Sequence, residues 1–393
     1  GASGDRLVQF DDFIARFDAG GEPFREVTLE LRELAGGIKE KAGIQPVDFS
    51  LELLPVRQKI PETLAACRKM EEALYSLSEE SLSPLLPESF LPRAVQFNYE
   101  LATFLGSLPA TRQAVEAWDP FKPVTWYDSI TSFFFGTRWI TNSFWQDWYG
   151  VLPLVCGSLL VTVIAMVLAV PLGTTAAVYV SEMASPREYR ILKPCIELIA
   201  AIPSVVFGFV GIMIVGEILR TISHWKILEW IPGFPFTERL NALTAGTLLA
   251  LMALPTIFTL SEDALQRVPR EFREASFALG STRLQWILRV QLPAALPGLA
   301  SAVLLGFGRV IGETMVVLLC AGNRTVMPNP TISAFFEPVH TMTGIIAQEM
   351  GEVVQGSTHY RALFVIGLLL FLISLSINGL AQSAARRFKT PLR

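Results

Sequence analysis

An arginine and a glutamate lie within one of the most apolar stretches of the chain. Arg309 and Glu313 fall near the middle of a predicted membrane span, residues 294–321. A charge close to the bilayer midplane is costly and is usually kept for a function. Four residues apart on one predicted helix, the two side chains share a face and can neutralise each other when no ligand is bound. The pair therefore predicts either a site for a charged ligand or a structural ion pair between helices.

Helix-breaking residues occur in two neighbouring spans. Pro203 and Pro255 lack the amide N–H that an inner helical turn needs, so both are predicted to break helices at membrane depth. Such breaks are tolerated where the freed backbone groups face protein or a water-filled path. Gly308 and Gly312 are further predicted to let another helix approach closely. These features, together with Ser204 beside the first break, favour a translocation pathway.

The composition is that of a membrane protein. Hydrophobic residues make up 51% of the 393 residues, charged residues make up 17%, and the mean hydropathy is +0.43. Hydropathy predicts five spans, each near the ~20 residues that cross a bilayer: residues 151–171, 194–216, 240–260, 294–321 and 362–380. The sequence has no Walker-type glycine-rich loop, and its three histidines are far apart. We therefore predict no catalytic residue, no metal site and no cofactor, and interpret the histidines as solvated loop residues.

The distribution of lysine and arginine predicts the orientation. The loops on one side of the predicted spans, including 266–293 and a basic tail at 386–393, carry 12 of these residues, and the opposite loops carry five. The positive-inside rule places the richer side in the cytoplasm. Residues 1–150 are then extracytoplasmic, and the protein is expected in the inner (plasma) membrane.

An acidic segment precedes the spans. Residues 1–125 hold 20 acidic and 13 basic side chains and show helical spacing of apolar residues, which predicts a helical extracytoplasmic domain. Its prolines, such as Pro61 and Pro109, are predicted to divide it into short helices. Because the chain opens without an initiating Met, a signal or an anchor, we expect a sixth transmembrane helix upstream of Gly1.

Residues 126–150 connect this domain to the first span. Ten aromatic residues lie between positions 126 and 149. Aromatic rings are typical of the membrane–water interface, so we predict an interfacial linker in contact with lipid. Stacking on a sugar or a nucleic acid is the alternative, which the lack of clustered basic residues disfavours.

One loop between two spans carries six residues at fixed spacing. They are Glu274, Ala275, Ser276, Gly280, Leu292 and Pro293. A helix near residues 269–279, broken by glycine and restarted toward Pro293, predicts a compact helix–turn–helix. The pattern resembles the EAA loop of ABC-importer permeases, from which Ser276 and Val290 depart mildly. The resemblance implies that this loop couples the chain to a separate ATPase.

A second resemblance covers about residues 133–389. The segments AAIPSVVFG at 200–208 and GRVIGETM at 308–315, followed by Gly322 and Asn323, are similar to PstC-type permeases of phosphate-specific ABC transporters. The resemblance implies an all-α polytopic membrane protein with a type I ABC-importer permease core at 151–385. The long acidic domain at 1–125 departs from the family, so its role stays open.

The resemblance also implies a function. The chain would be the permease subunit of an ATP-driven importer for inorganic phosphate and would form half of the translocation pathway. The implied partners are a PstA-like permease, a PstB-like ATPase dimer, a PstS-like phosphate-binding protein and membrane lipid, with no nucleic acid. The implied pathway residues are Arg309, Glu313, Thr314 and Ser204.

Two alternatives stay open on the sequence. The chain could carry another oxyanion, such as sulfate or molybdate, although a glutamate near the substrate repels an anion that has no proton to share. It could instead be a membrane-anchored sensor or scaffold whose extracytoplasmic domain is the active part. A sensor would need neither an EAA-like loop nor charges in a membrane span.

Overall fold

The computed structural model describes residues 2–44, 47–78, 91–119, 122, 125–141, 143–228, 230, 233–236 and 238–387. The chain divides into two compact units. The first consists of Gly1–Trp126 and Thr141–Asp147, and the second of Tyr127–Ile140 and Trp148–Arg393. The end of the predicted basic tail, residues 388–393, lies outside the described residues.

Helices make up the first unit: α1 (Ala2–Ile44), α2 (Phe49–Glu52), α3 (Leu54–Ser78) and α4 (Leu91–Glu116). The predicted helical spacing of apolar residues is present in α3, where Cys67, Met70, Leu74 and Leu77 are buried. They pack in one core with residues of α1 and α4, among them Phe13, Leu101, Leu105 and Leu108. The prediction of short helices is wrong, because α3 and α4 continue through Pro61 and Pro109. Burial of a continuous apolar face offsets the hydrogen bond that each proline removes.

The segment Thr141–Asp147 belongs to the first unit through specific contacts with α1. A Cβ atom on Gly36 would lie 2.3 Å from the Phe144 ring, so only glycine permits this packing. Lys39 Nζ donates a hydrogen bond to Asp147 Oδ1 at 2.8 Å. The Arg32 guanidinium carbon lies 5.4 Å from the centre of the Trp145 ring.

Helix α5 (Trp126–Phe135) belongs to the second unit from Tyr127 onward. Two short antiparallel strands follow, β1 (Trp139–Ile140) and β2 (Trp148–Tyr149). Trp126 and Phe135 are exposed, as residues of an interfacial belt would be. Trp139 is buried instead, and its Nε1 donates to Glu349 Oε2 at 3.1 Å. Trp139 therefore packs against protein rather than lipid.

The remaining elements are mostly helical: α6 (Leu152–Val178) with a π-helical turn (Tyr179–Met183), α7 (Pro186–Ala200), α8 (Ser204–Val210), a π-helical turn (Gly211–Val215), α9 (Gly216–Ser223), a 3-10 turn (Lys226–Leu228), α10 (Ala242–Gln266), α11 (Arg270–Ala278), α12 (Arg283–Trp286), a π-helical turn (Ile287–Gln291), α13 (Leu292–Ile311), α14 (Met315–Cys320), a 3-10 turn (Ile332–Phe336), α15 (Met342–Glu349) and α16 (Thr358–Arg387).

Five helical stretches within the described residues are long and apolar enough to cross a membrane. They are Leu152–Met183, Ser204–Ser223, Ala242–Gln266, Arg283–Ile311 and Thr358–Leu380. The predicted all-α polytopic fold is confirmed. The second span begins ten residues later than predicted, because residues 194–200 belong to α7 and the chain leaves the helix before Pro203. The fourth ends at Ile311 rather than at residue 321.

The two prolines predicted to break spans behave differently. Pro203 separates α7 from α8, as predicted. Pro255 does not break α10, which continues to Gln266. Pro255 is buried, so the backbone group it frees faces protein, where a transmembrane helix tolerates a proline.

The core of the second unit lies between α6, α10 and α13. A Cβ atom on Gly246 of α10 would lie 2.5 Å from Ile164 of α6. One on Gly306 of α13 would lie 2.7 Å from Ile257 of α10. The two glycines therefore permit the close helix packing that supports the site described next.

Candidate functional site

The segment that carries the predicted charges is a helix break. Helix α13 ends at Ile311, Gly312 follows as its C-cap, and α14 starts at Met315. Arg309 consequently lies in the final turn of α13, where the negative end of the helix dipole favours a positive charge. Glu313 and Thr314 lie in the break. The predicted shared helix face is therefore wrong, since only Arg309 belongs to the helix.

The Arg309 side chain is exposed in the single chain. Its Nη1 donates to Thr256 Oγ1 on α10 at 3.1 Å, which is its one hydrogen bond within the described part of the chain. A guanidinium has five N–H donors in a planar fork. Thr256 thus orients the group while most of its donors stay available to a ligand.

The Glu313 carboxylate is held by the backbone. Its Oε1 accepts from the Met315 N–H at 3.3 Å, so Glu313 caps the first turn of α14. Its main-chain oxygen accepts from Thr343 Oγ1 at 2.7 Å. Among the described residues no ion pair joins Glu313 to Arg309. The arrangement in which the two charges neutralise each other is not present.

Hydroxyl groups line the space around Glu313. Two cavities of about 10 Å³ each adjoin its side chain, one beside Arg309 and one beside Ser158, Thr162, Thr341 and Thr343. A space of that size is near the minimum for one water molecule. An oxyanion would enter only after the surrounding helices separate.

The hydroxyl groups come from α6 and from the start of α15, and the sequence analysis did not predict that these two elements lie together. Ser158 and Thr162 are one turn apart on α6. Ser158 Oγ accepts from the Met342 N–H at 2.9 Å at the start of α15, where Thr341 is the N-cap. The missed signal was hydroxyl residues at helical spacing in an apolar span. Thr162 and Thr343 donate their hydroxyl hydrogens to the main-chain oxygens of Ser158 and Glu313, so these bonds must break before the two groups can donate to an anion.

The other two predicted pathway residues lie at the starts of short helices. Ser204 is half-buried and opens α8, and Thr314 precedes α14. These helices pack together, since Cys320 Sγ of α14 lies 3.3 Å from Gly208 O of α8. Gly308 and Gly312 do not permit an unusually close helix contact as predicted, because Cβ atoms added there would meet nothing nearer than 3.5 Å.

His340 contradicts the interpretation of the histidines as solvated. It is buried, and its Nε2 lies 3.0 Å from Gln348 Oε1. His359 is half-buried, and its Nε2 lies 2.7 Å from Glu349 Oε2. Among the described residues no group of His, Cys, Asp and Glu side chains has the geometry to hold a metal ion.

The predicted helix–turn–helix between α10 and α13 is present. Helix α11 ends in a turn in which the Ser281 N–H bonds to Ser276 O at 3.1 Å and the Gly280 N–H bonds to Phe277 O at 3.0 Å. This is the Schellman pattern, which places the residue at Gly280 in the left-handed region. Gly280 has φ +81°, and a Cβ atom added at this position would meet no other atom within 4 Å.

We call residues 266–293 the coupling loop, after the coupling role that the sequence predicts for them. Glu274, Ala275 and Gly280 are exposed on it, and Leu292 and Pro293 begin α13. Ser276 is buried, so it packs inside the loop rather than on a docking face. Leu279 and Leu284 flank the turn at 87% and 59% exposure. Exposed apolar side chains at a loop tip are typical of a protein contact, and sequence reasoning missed both.

Known proteins resemble this chain over the region that contains the membrane spans. Residues 169–390 match the family described as binding-protein-dependent transport system inner membrane component. The probable ABC transporter permease protein YqgH of Bacillus subtilis (strain 168) is 38% identical over 227 residues, covering 58% of this chain and 68% of YqgH. The phosphate transport system permease protein PstC of Pasteurella multocida (strain Pm70) is 29% identical over 274 residues, covering 67% of this chain and 83% of PstC.

A solved structure of a bacterial ABC transporter involved in the import of the acidic polysaccharide alginate aligns over 76% of this chain and 99% of that chain, with 15% identity and a TM-score of 0.45. The family match and the PstC relatives confirm the predicted PstC-type resemblance. The protein is a multi-pass inner-membrane permease, and ATP hydrolysis belongs to a separate subunit. The chain belongs to the family of binding-protein-dependent transport system inner membrane components, the permeases of ABC importers.

Proposed function

We propose that this chain is the PstC-like permease of an ATP-driven importer of inorganic phosphate. It forms half of the pathway with a PstA-like permease and receives phosphate from a PstS-like binding protein. A PstB-like ATPase dimer docks on the coupling loop. Closure of the ATPase pair drives alternating access. The similarity to the phosphate transport system permease protein PstC of Pasteurella multocida supports this assignment of the substrate.

The observation that carries the proposal is the Arg309 guanidinium. It lies in the last turn of a membrane helix, is exposed, and is oriented by Thr256. Among the described residues, no carboxylate forms an ion pair with it. A planar guanidinium matches two phosphate oxygens and keeps its charge at every physiological pH. Arg309 is therefore suited to replace water around an oxyanion during passage.

Glu313 is proposed to select phosphate over sulfate. Phosphate near neutral pH carries at least one proton, which a carboxylate accepts as a hydrogen bond. Sulfate has no proton to donate and would leave the carboxylate facing an anion. Because Glu313 does not contact Arg309, the alternative in which it only holds the arginine in place is disfavoured.

The proposed function is tested with the complex of the permease pair and the ATPase in vesicles. Phosphate-loaded binding protein should stimulate ATP hydrolysis and drive phosphate uptake, and sulfate or molybdate should do neither. Uptake of sulfate or molybdate in place of phosphate would overturn the substrate. A complex that takes up none of these anions, with or without ATP, would favour the sensor or scaffold.

Glu313→Gln is expected to weaken selectivity more than transport. The glutamine keeps an oxygen that can accept from the Met315 N–H, so the helix cap survives while the charge is removed. Sulfate should then compete with phosphate roughly tenfold more strongly, a change of about 1.4 kcal/mol and within the range for one buried polar contact. The measurement is inhibition of phosphate uptake by increasing sulfate.

Asp263→Asn, which removes an exposed carboxylate from α10, is the control for loss of one negative charge. It should leave sulfate competition unchanged. Slower phosphate uptake by Glu313→Gln with unaltered selectivity would instead assign Glu313 a structural role.

The proposed orientation places the first unit outside the cytoplasm and the coupling loop inside. An impermeant thiol reagent should therefore label Tyr99→Cys, but not Leu279→Cys, in intact spheroplasts. Both positions are well exposed, at 73% and 87%. The variants are made with all four native cysteines replaced by serine, because Cys195 is also exposed.

Permeabilised cells provide the control, since both cysteines should then react. Labelling of Leu279→Cys alone in intact spheroplasts would invert the orientation.

A further inference from the structure

Two buried carboxylates lie where the coupling loop meets the membrane helices. Glu262, near the end of α10, has no solvent exposure, and the Glu182 side chain, in the π-helical turn after α6, is 7% exposed. A buried carboxylate is costly unless cations and hydrogen-bond donors surround it. The partners of these two groups therefore define which elements are held together.

Glu262 holds α7 against α10. Lys193 Nζ of α7 lies 3.0 Å from its Oε2, and Tyr189 OH, also on α7, donates to its Oε1 at 3.1 Å. Gln266 Nε2 donates to the same Oε1 at 2.9 Å. Burial lowers the pKa of Lys193, but the Glu262 carboxylate and the Tyr189 hydroxyl raise it by more, so the pKa is raised overall. Lys193 thus stays charged at neutral pH.

Glu182 holds the end of α6 against the coupling loop. Gln291 Nε2, at the end of the loop, donates to Glu182 Oε1 at 2.7 Å. Arg273 Nη2, on α11, lies 3.7 Å from Glu182 Oε2. One carboxylate on a membrane helix therefore contacts both halves of the coupling loop.

The same region has buried polar atoms without hydrogen-bond partners among the described residues. They include Glu262 Oε2 and Glu182 Oε2, whose contacts with Lys193 and Arg273 are ion pairs without a hydrogen bond. Ser261 Oγ, next to Glu262 in the chain, and Ser276 Oγ and Trp286 Nε1 inside the coupling loop also belong to this set. An unsatisfied buried donor disfavours the arrangement that contains it relative to one in which it finds a partner.

We propose that Glu182 and Glu262 are positioning residues for coupling, which make the coupling loop, α7 and the ends of α6 and α10 move as one body. Movement of the ATPase then shifts two membrane helices together rather than bending the loop alone. The inference rests on the proposed function, because it requires an ATPase on the coupling loop. Neither carboxylate needs to touch the substrate or the ATPase.

The test compares Glu262→Gln and Glu182→Gln complexes with the wild type in vesicles. Basal ATP hydrolysis should stay within about twofold of the wild type. Stimulation by phosphate-loaded binding protein, and phosphate taken up per ATP hydrolysed, should each fall at least fivefold. The exposed neighbour Asp263→Asn is the matched control, and it should stay coupled.

A second variant separates positioning from simple stability. Lys193→Met/Glu262→Leu removes both charges at once, and such apolar replacement of a buried pair usually preserves folding. The assembled double variant should remain uncoupled, because apolar contact lacks the directional bonds that keep α7 in register with α10. Coupling equal to the wild type in this variant would overturn the proposal.

The remaining outcomes are also decisive. Failure of both Glu262→Gln and the double variant to assemble would make the pair a folding determinant and would overturn the positioning role. A wild-type complex that hydrolyses ATP without phosphate-dependent stimulation would overturn the proposed function instead. Normal stimulation in the wild type and in every variant would overturn this inference alone.

Discussion

Arg309→Gln is expected to lower phosphate uptake roughly 30-fold or more. The substitution removes the cation from the proposed pair of Arg309 with the passing phosphate, and losing one member of a desolvated, hydrogen-bonded charge pair costs about 2–5 kcal/mol. The loss should arise during transport rather than folding. The side chain is exposed and makes a single hydrogen bond, to Thr256, within the described residues. The measurement is phosphate uptake by complexes that assemble at wild-type levels.

Two further substitutions divide the effect into charge and geometry. Arg309→Lys keeps the charge but loses the planar fork, so we expect an intermediate loss of roughly tenfold. Thr256→Val removes the hydroxyl that orients the guanidinium at 3.1 Å and should cause a smaller loss than Arg309→Lys. A larger loss of phosphate uptake in Thr256→Val than in Arg309→Gln would contradict direct contact between Arg309 and phosphate.

Arg361→Gln serves as the control for removal of an exposed arginine. Arg361 is exposed in the first turn of α16 and does not line either cavity beside Glu313. Its replacement should leave uptake near the wild-type value. Near-normal uptake by Arg309→Gln would reduce the arginine to a structural residue and remove the proposed site.

Gly280→Leu is expected to abolish most coupling while the protein stays in the membrane. A residue with a Cβ atom at φ +81° costs about 1–2 kcal/mol, which corresponds to roughly a 5- to 30-fold loss of the turn that presents the coupling loop. Because nothing lies within 4 Å of the added Cβ, the substitution causes no clash inside the chain. The cost is therefore one of backbone conformation, plus a bulky side chain on the exposed tip.

The measurements are co-purification of the ATPase and phosphate uptake. Gly280→Asn should retain much of both, because asparagine adopts the left-handed region more readily than leucine. Gly356→Leu is the matched control, since Gly356 has φ +83° and equally open surroundings in another loop. If Gly356→Leu and Gly280→Leu reduced transport alike, the effect would reflect general backbone strain, and the docking role of the coupling loop would be wrong.

Local sequence determined which stretches of the described residues form apolar membrane helices, and it determined the turn of the coupling loop. A hydrophobic run long enough to cross a bilayer is a property of its own composition, so five spans were predictable. The helix–turn–helix was predictable because Gly280 supplies the left-handed residue that ends α11. The break at Pro203 was predictable because a proline restricts the residue before it.

Tertiary structure decided how the charged and polar groups are partnered. Arg309 bonds to Thr256 and Glu313 caps α14, because helix α13 ends at Ile311 and α10 packs beside it. The partner of buried Glu262 lies on α7, and that of Glu182 lies in the coupling loop. Pairing between distant elements depends on which faces pack together, and that packing reflects the whole core rather than local periodicity. Arg309 and Glu313 were therefore visible in the sequence, whereas the contacts that orient them and the hydroxyl groups beside Glu313 were visible only in the fold.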